Sequence, residues 1–281
     1  MRKLRICIYF SLLILLTGCF NSKASTEELE DIYRAIETGD SSKVLELVDD
    51  KNINQELEGR EPITLYAASL GHEELTLSLL ESKPDFEKKN HIGNSLLHIA
   101  AENNMVKLVE KILAEKVIDI NAENEFSLTP LFLALIQNNN EVIKVLIEYG
   151  ADPNISNNDG YTTLHEAVSK GDDEVINLLI DNGADVNAVT TNDLTTLMTA
   201  AQSGNNSVVE ILLTQGADIN KQDIDGYSAL AFATLYNQTE TVKLLLSHNP
   251  MTDIKVSGGH SLIDLAKMNH NEELVKLFGG G

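Results

Sequence analysis

The five-residue phrase "GADPN" at 150–154 returns as "GADVN" at 183–187 and as "GADIN" at 216–220, so each copy begins 33 residues after the last. A fixed period overrides the usual expectations from length. A chain of 281 residues could form one large domain or two. A repeat array instead grows unit by unit, and each unit buries its apolar face on its neighbours. Aligned on Leu164 of "TTLHEA", the rest of the chain falls into register, with equivalent positions at Ile32, Thr64, Leu97, Leu131, Leu197, Leu230 and Leu262. Seven residues after these positions stand Gly39, Gly71, Asn104, Asn138, Gly171, Gly204, Asn237 and Asn269, every one Gly or Asn.

Gly and Asn tolerate the positive φ at which a helix commonly stops, so each unit is predicted to hold a short helix ending there. A second apolar run follows, such as "EVINLLI" at 174–180 or "VVEILL" at 208–213. Its spacing is that of a helix burying one stripe. The glycine of "GAD" ends this second helix, and the chain runs out to a tip such as "NNDG" at 157–160, where Asp-Gly signals a tight turn. Helix, turn, helix, finger is the predicted unit.

A period near 33, "TPL" at 129–131, "TLH" at 163–165, "LLH" at 96–98 and the "GADxN" endings resemble ankyrin repeats over about 27–278. The resemblance implies an all-α ankyrin-repeat solenoid of about eight helix-turn-helix units joined by hairpin fingers. It departs from the family pattern in having the signature proline in one unit and weak finger sequences in the first three. End units should be polar. Ser25 and Glu28 have capping-box spacing, and the last unit carries Asp264, Lys267, Glu272, Glu273 and Lys276.

The first residues, "MRKLRICIYFSLLILLTGCF", place Arg2, Lys3 and Arg5 before an apolar run from Ile6 to Leu16 that is too short to cross a bilayer, as in a secretory signal. "LTGC" at 16–19 resembles a bacterial lipobox, which implies cleavage before Cys19 and lipidation of that cysteine. Cys7 is the only other cysteine, so nothing remains for disulfides or thiolate metal sites. The expected organisation is a lipoprotein signal peptide at 1–18, a lipidated tether at 19–25, a repeat domain at 26–278 and a tail at 279–281. Seven tether residues reach at most about 25 Å, which would keep the first unit close to the membrane. Phe20 after the lipidated residue implies, in a Gram-negative host, an outer-membrane destination facing the periplasm; a Gram-positive host would place the protein on the outer leaflet.

Losing the signal removes three of 21 basic residues and none of the 43 acidic ones, taking the net charge from −22 to −25. Such a surface repels nucleic acid and steers in a basic protein partner.

Chemical motifs are wanting. His98 and His165 occupy the fourth position of the tetrapeptide, where the resemblance implies hydrogen bonds that tie adjacent units. The other histidines never form a helical His-x-x-x-His pair. "HEAVS" at 165–169 lacks the second histidine of a metalloprotease motif, and no nucleophile elbow, phosphate loop or dinucleotide fingerprint is present. Asp152, Asp185 and Asp218 recur at every joint, as turn-stabilising residues would. The expectation is no enzyme, no cofactor, no metal and no small-molecule substrate.

Function then lies where the units differ. On the family pattern, finger tips and the exposed face of each first helix contact partners. Ile92, Phe126, Asp159, Tyr161, Asp225 and Tyr227 fall on fingers, and Ile136, Lys170, Leu235 and Tyr236 near the ends of first helices. Aromatic residues make up only 5% of the chain, so Phe126, Tyr161, Tyr227 and Tyr236 at such variable places suggest a binding hot spot. The alternative for Tyr161 and Tyr227 is that they pack over a neighbouring finger. The leading reading is an envelope-anchored, non-catalytic binder of another protein. Two others stay open: an immunity protein that inhibits a periplasm-acting toxic enzyme, and an architectural envelope protein that self-associates.

Overall fold

The computed structural model describes residues 24–279; the signal sequence, Cys19 and most of the tether lie outside them. Two compact bodies divide the chain, one up to Asn90 and one from His91 onward. The first contains α1 (Thr26–Glu37), α2 (Ser41–Leu47), α3 (Ile63–Ser69) and α4 (Glu73–Leu79). The second contains α5 (Leu96–Glu102), α6 (Val106–Glu115), α7 (Pro130–Gln137), α8 (Asn140–Glu148), α9 (Thr163–Lys170), α10 (Asp173–Asp181), α11 (Thr196–Ser203), α12 (Asn206–Thr214), α13 (Ala229–Leu235), α14 (Thr239–Ser247), α15 (Leu262–Met268) and α16 (Glu272–Gly279). The described residues are all-helical, with isolated bridges at Val189–Thr195 and Val256–His260 as the only extended pairing.

Each first helix stops where the sequence indicates. Gly39, Gly71, Asn104, Asn138, Gly171, Gly204 and Asn237 all have positive φ. The last pair departs by one residue, because the left-handed position there is His270 and not Asn269. Caps locate the slip: Thr162 pairs with His165 in a capping box, and Ser261 pairs with Asp264 in the same way. The true counterpart of Leu164 is therefore Ile263, and the expected position at Leu262 was one residue early. Asn269 instead donates to Thr234 O at 2.9 Å and Leu235 O at 2.7 Å. Those carbonyls end α13, which has no intrahelical donors for them. Asn139 serves the end of α5 likewise, donating to Ala101 O and Glu102 O, as Gln238 serves α11 through Gln202 O.

The recurring phrase is a joint. Asn154 donates from its side chain to Gly183 O at 2.9 Å and accepts Asp185 N at 2.8 Å. Thirty-three residues on, Asn187 repeats both bonds, to Gly216 O at 3.2 Å and from Asp218 N at 2.8 Å. Asn121 accepts Asp152 N, Asn220 accepts Met251 N, and in the first body Asn54 accepts Asp85 N at 2.6 Å. Within each phrase the aspartate turns the chain: Asp152, Asp185 and Asp218 accept the amide two residues ahead at 2.8 to 2.9 Å. Each aspartate thus shapes its own turn and each asparagine reads the next one.

Both helices of a pair contribute to the core. In the middle of the second body Leu131, Leu164, Leu197 and Leu230 are buried from the first helices, and Leu146, Leu179, Leu212 and Leu245 from the second. The first body has its own core, including Ile32, Ile36, Val44, Ile53, Ile63 and Leu79. The last pair is less polar than its charges suggested, since Met268 and Leu277 stay exposed.

Two glycines separate a backbone constraint from a packing constraint. Gly160 (φ 81°) and Gly183 (φ 90°) share the left-handed region, but a methyl on Gly160 would meet Thr191 N at 2.8 Å and Thr190 Cα at 2.9 Å, whereas one on Gly183 meets nothing within 4 Å. Gly183→Ala should cost about 1 kcal/mol and Gly160→Ala roughly 1 to 3 kcal/mol more, in urea unfolding of the purified variants. Equal losses would refute the close approach of adjacent fingers.

Candidate functional site

Fingers owe their shape to one side-chain acceptor each. Asn157 Oδ1 accepts Asp159 N and Tyr161 N, both at 3.0 Å, while Asp223 Oδ1 accepts Asp225 N and Tyr227 N. Asn124 Oδ1 takes Phe126 N and Leu128 N, and Thr190 Oγ1 takes Asn192 N and Leu194 N. Backbone bonds then join fingers: Glu125 N to Ile92 O, Thr191 N to Asp159 O, Ile224 N to Asn192 O and Ser257 N to Asp225 O. Carbonyls of Ile92, Asp159 and Asp225 are thereby used inside the scaffold, while the side chains of Asp159 and Asp225 stay exposed.

Phe126, Tyr161 and Tyr236 are exposed, at 53%, 38% and 48%. Asp159, Lys170, Asp225 and Ile136 are also exposed, whereas Ile92, Tyr227 and Leu235 are half-buried. Tyr227 packs its ring 5.4 Å from Phe232 of α13, which in turn stacks on Tyr236 at 6.4 Å. Tyr227 thus supports Tyr236 through Phe232 and is not one of the exposed aromatics. Lys170 donates to Ile136 O at 2.9 Å and closes the exposed end of α7.

Tyr161 and Tyr236 line one cleft of about 370 Å³, together with His165, Glu166, Ser169, Leu194, Thr199, Gln202 and Ser203. The cleft is floored by α9 and α11 and edged by the finger that precedes α11. Phe126 is not part of its wall.

His98 and His165 are structural ties. His165 is buried, its Nε2 3.2 Å from Leu194 O on the next finger and its Nδ1 within reach of Thr162 N and Oγ1. His98 repeats the arrangement with Leu128 O and Ser95. Because Nδ1 accepts a backbone N–H, the neutral ring with its proton on Nε2 satisfies the site, and α11 shows the same cap with Met198 in the histidine's place. Burial lowers the His165 pKa below its ordinary value, and the bond to Leu194 O opposes this only in part.

A second cluster, in the first body, escaped sequence reading. The Arg60 guanidinium lies 5.5 Å from the Tyr33 ring and 5.4 Å from the Tyr66 ring, with Nη1 2.7 Å from Glu37 Oε1. Tyr66 donates to the same carboxylate oxygen at 2.9 Å, and buried Tyr33 donates to Glu61 O at 2.6 Å. Burial pushes the Tyr33 phenol up to about 12, and Arg60 holds the Glu37 carboxyl below its ordinary value. Tyr33, Glu37 and Arg60, with Thr26, Glu30, Arg34, Leu57 and Glu58, line a cleft of about 420 Å³. One signal was present: Arg34 and Arg60 are the only arginines after residue 5.

Helix pairs, left-handed stops, histidine ties and asparagine joints together describe one repeating unit. The family model for ankyrin repeats matches three times, over 32–124, 97–190 and 195–279. The chain belongs to the ankyrin-repeat family. Ankyrin repeats generally mediate protein–protein binding and are typically non-enzymatic. No curated protein matches the chain. Among the described residues no group of three or more His, Cys, Asp or Glu side chains could hold a metal ion, and no helix is long and apolar enough to cross a membrane.

The ankyrin tie at His165 sets a pH dependence. Its folded pKa is depressed, so the unfolded chain takes up a proton that the folded chain resists, and this increment of stability is complete above about pH 6.5 and lost as pH falls below it. Urea unfolding between pH 7.5 and 5.5 should show stability falling through that window, with a shallower fall in His165→Gln. The same slope in both proteins would refute the assignment.

Proposed function

We propose that this ankyrin-repeat protein is a non-catalytic binding module, held at a bacterial envelope by lipid on Cys19, that grips one protein partner with its fingers and first helices around Tyr161 and Tyr236. The observation that carries the reading is the pairing of these two exposed tyrosines at one cleft in a chain where aromatic residues are scarce. Tyrosine anchors in a preformed cleft dominate many interfaces, since a rigid ring buries large area at low entropic cost. Surrounding acidity favours a basic partner and speeds its approach. Lipobox-like residues before Cys19 support the anchor, and Phe20 supports an outer-membrane destination in a Gram-negative host.

The test is capture from envelope extract by the full chain, compared with a variant carrying Phe126→Ala, Tyr161→Ala and Tyr236→Ala. One protein, identified by mass spectrometry, should be retained by the parent and lost by the variant while the variant's unfolding transition stays cooperative. Equal retention by both would place the binding surface elsewhere. Cys19→Ser should abolish palmitate labelling and release the chain from the membrane fraction; a variant that remains membrane-bound would refute the anchor.

A further inference from the structure

The two clefts differ in one respect that bears on what the second one binds. In the first body, two tyrosine rings and a glutamate surround a guanidinium that the chain itself supplies, Arg60 between Tyr33, Tyr66 and Glu37. In the second body, the Tyr161–Tyr236 cleft carries two tyrosines and a glutamate, Glu166, but neither lysine nor arginine among its lining residues. Its histidine adds no positive charge near neutral pH, because burial disfavours the imidazolium of His165. Glu166 is therefore the only charged group of the wall, and Ser169 and Ser203 add hydroxyl acceptors beside it.

Lys170 does not discharge this carboxylate fully. Its Nζ lies 3.5 Å from Glu166 Oε1, while its hydrogen bond at 2.9 Å goes to Ile136 O. At about 370 Å³ the cleft is near the lower limit for a drug-sized ligand and has room for a single long side chain.

We propose that the cleft recognises an arginine side chain presented by a basic segment of the partner protein, its guanidinium lying on Tyr161 and Tyr236 and hydrogen-bonding to Glu166. The proposal rests on the protein-binding reading above and names the chemistry at its centre. Arginine fits better than lysine, since a planar, weakly hydrated guanidinium stacks on aromatic rings and bonds a carboxylate through two donors. The net charge of −22 draws such a segment in, and Lys170 is the internal cation it must displace in part.

The experiment uses full-length protein in detergent and two pools of short peptides, one with a central arginine and one with the isosteric, uncharged citrulline, all other positions being randomised without Lys, Arg or His. The parent should retain the arginine pool about tenfold over the citrulline pool. Glu166→Gln should bring that ratio to within about twofold, and Lys170→Gln should raise it above the parent's, which no merely structural role of either residue predicts. Equal retention of the two pools by the parent, retention of neither, or a ratio that survives Glu166→Gln overturns the proposal. If the pools are retained equally and both are lost in Tyr161→Ala/Tyr236→Ala, the arginine inference fails while the protein-binding reading stands; that reading falls only if the envelope capture fails.

Discussion

The stack of the second body depends on the joints that Asn121, Asn154, Asn187 and Asn220 close. A helix pair of about 20 residues cannot bury its apolar stripes alone, so it is stable only when held in register with its neighbours. Stacking of Leu131, Leu164, Leu197 and Leu230 supplies the driving force but little directionality. Direction comes from hydrogen bonds such as those of Asn154 and Asn187, which fix where the next phrase begins. Histidine ties and finger-to-finger backbone bonds repeat that constraint at other heights along the same joint. Each bond is worth about 0.5 to 1.5 kcal/mol net, so register is held by their agreement and not by any single one.

The asparagine and aspartate bonds of such a joint use only backbone and short polar side chains. Finger carbonyls at Asp159 and Asp225 serve the next finger while their carboxylates face outward. Exposed finger residues can therefore change without disturbing the stack, and the Tyr161–Tyr236 cleft is built in that freedom. Tyr236 shows the cost of placing a ring at such a site, since Phe232 and Tyr227 must pack behind it. The first body spends the same kind of residues internally, where Arg60, Glu37 and Tyr66 hold the finger before α3 against α1 and α3.

The sequence was most legible where a physical demand recurs. Positive φ at a helix stop restricts the residue to Gly or Asn almost everywhere, so seven of the eight stops could be placed by eye. The eighth was misplaced because His270 accepts the same backbone conformation and Asn269 next to it satisfied the pattern. Side-chain direction is less legible, because no period distinguishes a finger tyrosine that faces out, Tyr161, from one that packs inward, Tyr227. The Arg60 cluster was hidden for a related reason: its members come from α1, α3 and the finger between them, and although Tyr33 stands in the register of His98 and His165 and bonds Glu61 O as they bond Leu128 O and Leu194 O, Arg60 has no basic counterpart in the other units.

Amide hydrogen exchange at Asp152, Asp185, Asp218 and Met251 tests the joint most directly. All four residues are exposed, yet each amide donates to the asparagine of the preceding phrase. The account predicts protection close to that of the core helices at all four, lost at Asp185 alone when Asn154 is replaced by Ala. Exchange at the rate of an unstructured peptide in the parent protein would contradict it.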